Sequence, residues 1–401
     1  MDGPSDPGQQ PGTGPGGQRP EDLFADVPLF REIQRVLLSG TGPVNWELAR
    51  QVGIAMAAGQ RPDTEPTAED REGFESTVRV AELAVADLTA LAPPAEVTRV
   101  EAVRRARWVE ANIRGLKALF EPAAEKLSQA LAQAGREQAP GPEVPLGLEM
   151  LMERMPPLIM GMQVGVVLGT VGQKVLGQYE LPIPRRESPA LLFVVPNIEE
   201  LEREWSLPPV EFRAWIALHE TTHAFELGQS WARDHFFRLI RELVEGMELD
   251  LSGLEERLSG LDLSDPERLS EALGDPADLL GRALGEEQRL LLARLQAFMA
   301  AAEGYADHVM QQVGRKMLPA FDRIDEAMRR RREERSQEER MVERMLGIEL
   351  KREQYRLGTA FCARVVELTD EQTLALMWRD AEALPSMPEL EEPRLWLARM
   401  A

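Results

Sequence analysis

Three side chains carry the chemistry this sequence most clearly offers: His219, Glu220 and His223, in the order H-E-x-x-H within the run ALHETTHAFEL at residues 217–227. Residues four apart on an α-helix stand one turn above each other, so both imidazoles leave the same face and can grip one ion. Neutral imidazole suits zinc. Zinc lowers the pKa of a bound water to about 7, so a neighbouring carboxylate such as Glu220 can take its proton. The chemistry expected is metal-assisted hydrolysis. A chance match on an ordinary helix would have to explain why two of only four histidines in 401 residues fall at this spacing with a glutamate between them.

Such a site needs a further ligand from elsewhere in the chain. In metzincins the motif runs on as H-E-x-x-H-x-x-G-x-x-H, but Glu226 stands where the glycine would be and Gln229 where the third histidine would be, which excludes that class. The glutamate-ligated class draws its third ligand from a downstream helix, with an acid nearby to orient a histidine. A metal-bound imidazole usually donates its other N–H to such a carboxylate. Glu303 and Asp307, four apart in AAAEGYADHV, fit those two roles. An exposed acidic face would read the same way. Glu220 would act as general base and then as proton donor, and Tyr305, His308 and Tyr355 are the candidates for stabilising an oxyanion. His235 matches no standard zinc spacing and is expected to be a structural or surface histidine. The rival reading is a non-catalytic binding or scaffold protein with a structural zinc or a dormant site.

The elements that must position these residues follow from pattern and punctuation. Ser206 is expected to cap the motif helix, with Pro208, Pro209 and Glu211 near its first turn and Gly228 as its stop. Phe212, Trp215, Ile216 and Leu218 supply apolar surface just ahead of the motif. Residues 190–196, ALLFVVP, read as a short apolar strand that residues 179–183 could join. It is expected either to offer an edge for a substrate backbone or to be an ordinary core strand. Residues 289–314 read as the helix carrying Glu303 and Asp307. Earlier, two short helices are expected over 24–59, longer ones over 74–91 and 96–120, and a further one opening at Pro122 and stopping at Gly135. Gly161, Gly165 and Gly169 fall four apart in an apolar run too short to span a bilayer, which implies close packing of a buried helix. Residues 245–286 suggest short helices and loops, 327–345 a solvated charged helix, and 346 onward further helices. The closing LPSMPELEEPRLWLARM would wrap the body.

The balance of 68 acidic against 46 basic side chains, a formal charge of -22, argues against a nucleic-acid partner. A single cysteine, Cys362, excludes an intrachain disulfide and fits a reducing compartment. Its run TAFCARVV suggests a small buried hydrophobe. Residues 1–20 show neither a basic nor an apolar signal region and read as a disordered tail, ahead of one domain over 21–401 with a helical N-terminal subdomain at 21–140. With no membrane span in view, a cytoplasmic protein is expected.

The runs VLGQYELPIP, LLFVVPNI, W-x-A-L-H-E-T-T-H, SWARDH, EGYADHVM, the K-x-x-Q-Y-x-x-G-x-x-F pattern at residues 351–361 and the closing LPSMPELEEPRLWLARM together resemble the zincin-like metallopeptidases of actinobacteria. That family was formerly a domain of unknown function, and some members are labelled as associated with deazaflavin coenzyme biosynthesis. The resemblance covers most of the chain beyond the tail. It implies a mainly α zincin-like fold, with a small β element next to the H-E-x-x-H helix, and a Zn2+ site. Combined with the residue reading, the expectation is a gluzincin-like metallopeptidase acting on peptide or protein substrates, with His219, His223 and Glu303 as metal ligands and Glu220 as catalytic base.

Overall fold

The structure, a computed structural model, describes residues 42–59, 61–89, 91–93, 99–138, 146–179, 184, 190–247, 285–333 and 352–401. The expected tail, the first helical pattern before residue 42 and most of the 245–286 segment lie outside the described residues.

In chain order the principal elements are α1 (Trp46–Ala58), α2 (Ala68–Thr89), β1 (Arg99–Val103), α3 (Arg105–Gln138), α4 (Leu146–Gly172), β2 (Ala190–Val194), α5 (Val195–Glu204), α6 (Pro209–Leu227), α7 (Ser230–Glu245) and α8 (Glu286–Val309). A π-helical turn, Met310–Gly314, follows, then α9 (Phe321–Glu333), α10 (Arg352–Leu368), α11 (Glu371–Ala375), α12 (Met387–Glu391) and α13 (Pro393–Met400). The fold is mainly α, as the sequence implies. Among the described residues no helix is long and apolar enough to cross a membrane.

The β element is a two-stranded parallel pair, from Arg99 opposite Ala190 to Val103 opposite Val194. Side chains alternate across a strand, and the pair uses this to serve two cores. Leu191, Phe193 and Ala102 face a large core built on α2, α6, α7, α8 and α10, where Phe193 stacks on Phe74 with ring centroids 4.2 Å apart. Leu192, Val194 and Val103 face a smaller one with Trp108, Val109 and Leu168.

Three expectations are corrected here. The helix foreseen over 96–120 begins only at Arg105, because Arg99–Val103 leaves it to become the ladder partner of β2. Pro122 opens no new helix: α3 runs through it. A proline inside a helix forgoes one backbone hydrogen bond, a loss that tertiary packing can override. Residues 195 and 196 belong to α5, with Pro196 in its first turn, where the missing N–H costs nothing. The glycine stripe on α4 behaves as foreseen. A Cβ at Gly165 would lie 2.7 Å from the carbonyl oxygen of Ala49, so α1 rests directly on the bare backbone. The tail also folds back as expected, with Trp396 fully buried against Phe361 and donating its indole N–H to the carbonyl of Ala383 at 2.7 Å.

A close helix crossing lies next to Glu303 in the chain. A Cβ at Gly304 would overlap the carbonyl carbon of Gly358, and one at Gly358 the carbonyl oxygen of Ala300, so α8 and α10 meet backbone to backbone. Gly304→Ala should therefore force the two helices apart, and overpacking of this kind costs about 1–3 kcal/mol. Chemical denaturation should show the loss as a lower midpoint at unchanged slope; an unaltered midpoint would refute the crossing.

Candidate active site

The motif lies on α6, and the ends of that helix explain its placement. Pro209 occupies the first turn with Glu211 beside it, and the N–H of Gly228 closes the other end on the carbonyl of Ala224 at 2.9 Å. Ser206 is not the cap. It sits at φ 50, a left-handed residue in the turn between α5 and α6, and Pro208 takes the cap position. Arg213 ties the helix to its surroundings, donating to Glu202 of α5 at 2.8 Å and to Asp70 of α2 at 2.7 Å. Burial pushes the Asp70 carboxyl up, but hydrogen bonds from Thr67 and Arg213 outweigh it and hold Asp70 below its usual range.

From Phe212 onward α6 is nearly all interior. Glu220, Thr221, Thr222, His223 and Glu226 are each at most 1% exposed, so their polar atoms must be satisfied inside the protein. Thr222 donates its hydroxyl to the carbonyl of Leu218 at 2.9 Å. Glu220 Oε2 accepts the backbone N–H of Tyr179 at 2.7 Å. That backbone is held in turn: Gly177 bridges Phe193 of β2, and its carbonyl accepts the indole N–H of Trp108 at 3.1 Å. Glycine is required there, because a Cβ at 177 would overlap the Glu220 carboxylate.

The two imidazoles meet edge to face with centroids 4.6 Å apart. His219 stacks on Trp215 at 5.5 Å, and the Tyr179 ring lies 6.1 Å from His223. His223 Nδ1 lies 2.7 Å from Glu226 Oε2, while His223 Nε2 and Glu226 Oε1 have no hydrogen-bond partner among the described residues. Burial, reinforced by His219, holds His223 well below the ordinary imidazole pKa, so its ring is neutral. Burial, reinforced by the charge of Glu303, pushes Glu226 well above the usual carboxylate range.

The other candidates fall around this centre. Glu303 is 6% exposed on α8, the helix packed against α6, and acts electrostatically on Glu226. Asp307 accepts the Thr359 hydroxyl at 3.2 Å, and Glu226 is a carboxylate that lies against a motif imidazole. His308 Nε2 faces the Glu371 carboxylate at 2.9 Å. Tyr305 is buried beside Trp378, and burial, with Glu226 nearby, raises its pKa. Tyr355 lies on α10, its side chain outside the described set. His235 contacts Arg238 at 2.9 Å.

A bound metal would find two imidazoles of the right chemistry here, one of them neutral with a buried, uncommitted Nε2. In that respect the residues fit the ion. Among the described residues no three His, Cys, Asp or Glu side chains form a group that could hold one. The structure brings His219 and His223 together, and Glu303 lies buried on α8, the helix packed against α6. Sequence reasoning missed Gly177, Tyr179 and Glu226. The signal for Glu226 was present as H-x-x-E on the second histidine, but no local pattern announces a backbone N–H that meets a glutamate far along the chain.

The strand reading is also resolved. β2 is paired on one side with β1 and bridged on the other at Gly177, and Leu191–Val194 are buried, so it is a core strand. No described strand covers the outer side of β1, where a groove of about 1120 Å³ opens against α2, lined among others by Arg79, Glu82, Arg99, Arg107 and Phe225 of α6.

Gly177→Ala should displace the Glu220 carboxylate from Tyr179, with an overpacking cost of about 1–3 kcal/mol. Amide exchange at Tyr179 should accelerate while exchange in α13 stays unchanged. Retained protection of Tyr179 would show that the contact does not hold the glutamate.

A model of the zincin-like metallopeptidase family matches residues 44–397. No curated protein matches the chain significantly. Among solved structures, the chain is similar to a protein from Chloroflexus aurantiacus described as a "putative hydrolase with a novel fold". The two share 31% identity, with 89% of this chain and 98% of that one covered, at a TM-score of 0.64. With a family match that reaches from the start of α1 into the closing helix, the chain belongs to the zincin-like metallopeptidases.

Proposed function

We propose that this protein is a zinc-dependent hydrolase of peptide bonds, in which His219, His223 and Glu303 hold the metal and Glu220 moves the proton. The observation that carries the reading is the buried His219–His223 pair with a neutral His223 whose Nε2 no described residue engages, in a chain of the zincin-like family. Support for Glu303 comes from its burial on α8 and its electrostatic reach to Glu226. When bound, zinc supplies a water of lowered pKa and polarises the scissile carbonyl. Glu220 is fixed in orientation by the Tyr179 N–H. It takes the water's proton and passes it to the departing amine, so one side chain serves as base and then as acid.

The second reading is a non-catalytic, zinc-containing binding protein. The observation that favours it is how little of the motif reaches the surface, with Glu220 1% and His223 0% exposed.

Purified protein never exposed to chelator should contain about one zinc per chain by elemental analysis. Glu220→Gln keeps the shape of the carboxylate and loses the base. It should retain the metal while hydrolysis of a peptide library falls on the order of 10²- to 10⁴-fold. Near-normal turnover by the variant would remove Glu220 from the chemistry, and zinc that is absent and cannot be restored would end the hydrolase reading.

Glu303→Ala should lower zinc affinity sharply, because a ligand oxygen binds at about 2.0–2.2 Å and its loss is direct. If this variant competes for zinc as well as the parent does, the third donor lies elsewhere.

A further inference from the structure

We infer that Glu226 is the positioning residue that makes His223 a metal ligand: it holds the proton of Nδ1 and so leaves the Nε2 lone pair for the ion. The inference takes its purpose from the zinc reading above, and its geometry stands apart from that reading. His223 and Glu226 sit three residues apart on α6, a spacing that brings side chains together on one helix face. Both are 0% exposed, and Nδ1 lies 2.7 Å from Oε2. A neutral imidazole carries one proton, so one nitrogen donates and the other accepts. With Oε2 against Nδ1, that nitrogen is committed to Glu226, and Nε2 is the ring nitrogen left to a metal. A ligand nitrogen needs its lone pair, so the ring proton belongs on Nδ1, where the Glu226 oxygen accepts it.

The surroundings make this more than a packing contact. Neither Nε2 nor the second carboxylate oxygen of Glu226 has a hydrogen-bond partner among the described residues, so no hydroxyl, amide or carbonyl there competes for either atom. Two rings flank His223, that of His219 at 4.6 Å and that of Tyr179 at 6.1 Å, while Glu303 acts electrostatically on Glu226. A buried acceptor without a donor disfavours folding, and a cation on Nε2 removes that disadvantage. Asp307, of which the same role was expected for a motif histidine, accepts from Thr359. The histidine-orienting carboxylate thus sits within the motif helix, three residues past the motif, where helix geometry alone fixes its distance.

The test has two arms. Metal-free protein labelled with 15N in its imidazoles, assigned with a His223→Gln variant, should show His223 protonated at Nδ1 and unprotonated at Nε2. The opposite tautomer would overturn the inference. In the second arm, parent, Glu226→Gln and Glu226→Leu are titrated with zinc ion against a chromophoric chelator. The leucine variant should bind about 10- to 100-fold more weakly, as for loss of an outer-shell partner. The glutamine variant, whose amide oxygen still accepts from Nδ1, should recover part of the loss. Equal affinity in all three would overturn the inference. If the leucine variant does not fold, the glutamine variant and the parent spectrum decide it. Failure of the parent to bind zinc would sink the hydrolase reading alone, and the spectrum of the metal-free parent would still decide the role of Glu226.

Discussion

Everything in this structure turns on the cost of keeping polar side chains dry. Helix α6 places two carboxylates, two threonines and an imidazole where water does not reach, and each must be answered by another part of the chain. Backbone from the 176–179 segment answers Glu220, the helix's own carbonyl answers Thr222, and Glu226 answers one side of His223. Of these side chains, Thr221 Oγ1, His223 Nε2 and one oxygen of Glu226 are left without a hydrogen-bond partner among the described residues. A buried imidazole nitrogen left bare is a position that a cation would satisfy.

The small sheet is the means by which the answers arrive. β2 alternates between two cores, and Gly177 is stitched to its outer side, with Trp108 of the smaller core holding the Gly177 carbonyl. Asn197 of α5 donates to the carbonyls of Gly172 and Val175, and fixes the approach of the same segment from the other end. The smaller helical layer, which carries no candidate chemistry of its own, thereby sets where Glu220 points.

The motif, the mainly helical class, the glycine stripe on α4 and the buried Cys362 were all legible in the sequence, because each depends on residue type at short spacing. The β1 strand was not. Arg99–Val103 has no turn signal to separate it from the helix that follows, and only its pairing with Ala190–Val194 makes it a strand. Ser206 carried the right side chain for a cap, but two prolines at 208 and 209 moved the helix start beyond it. Glu226 was read only as the residue that breaks a metzincin pattern. Its contact with His223 was implicit in the i, i+3 spacing, whereas the Glu220 contact with Tyr179 depends on tertiary pairing that no local pattern encodes.

The sheet also sets an order of events. Arg99 pairs with Ala190, and Gly177 reaches Glu220, across long stretches of chain, and contacts so distant in sequence pay their loop-closure entropy before they gain anything. Helix α6 can wind locally and early, but its glutamate acquires a fixed direction only once α3, the parallel pair and the 176–179 segment have closed around it. The direction of Glu220 therefore depends on distant segments meeting, whereas the winding of the helix that carries it needs only its own neighbours.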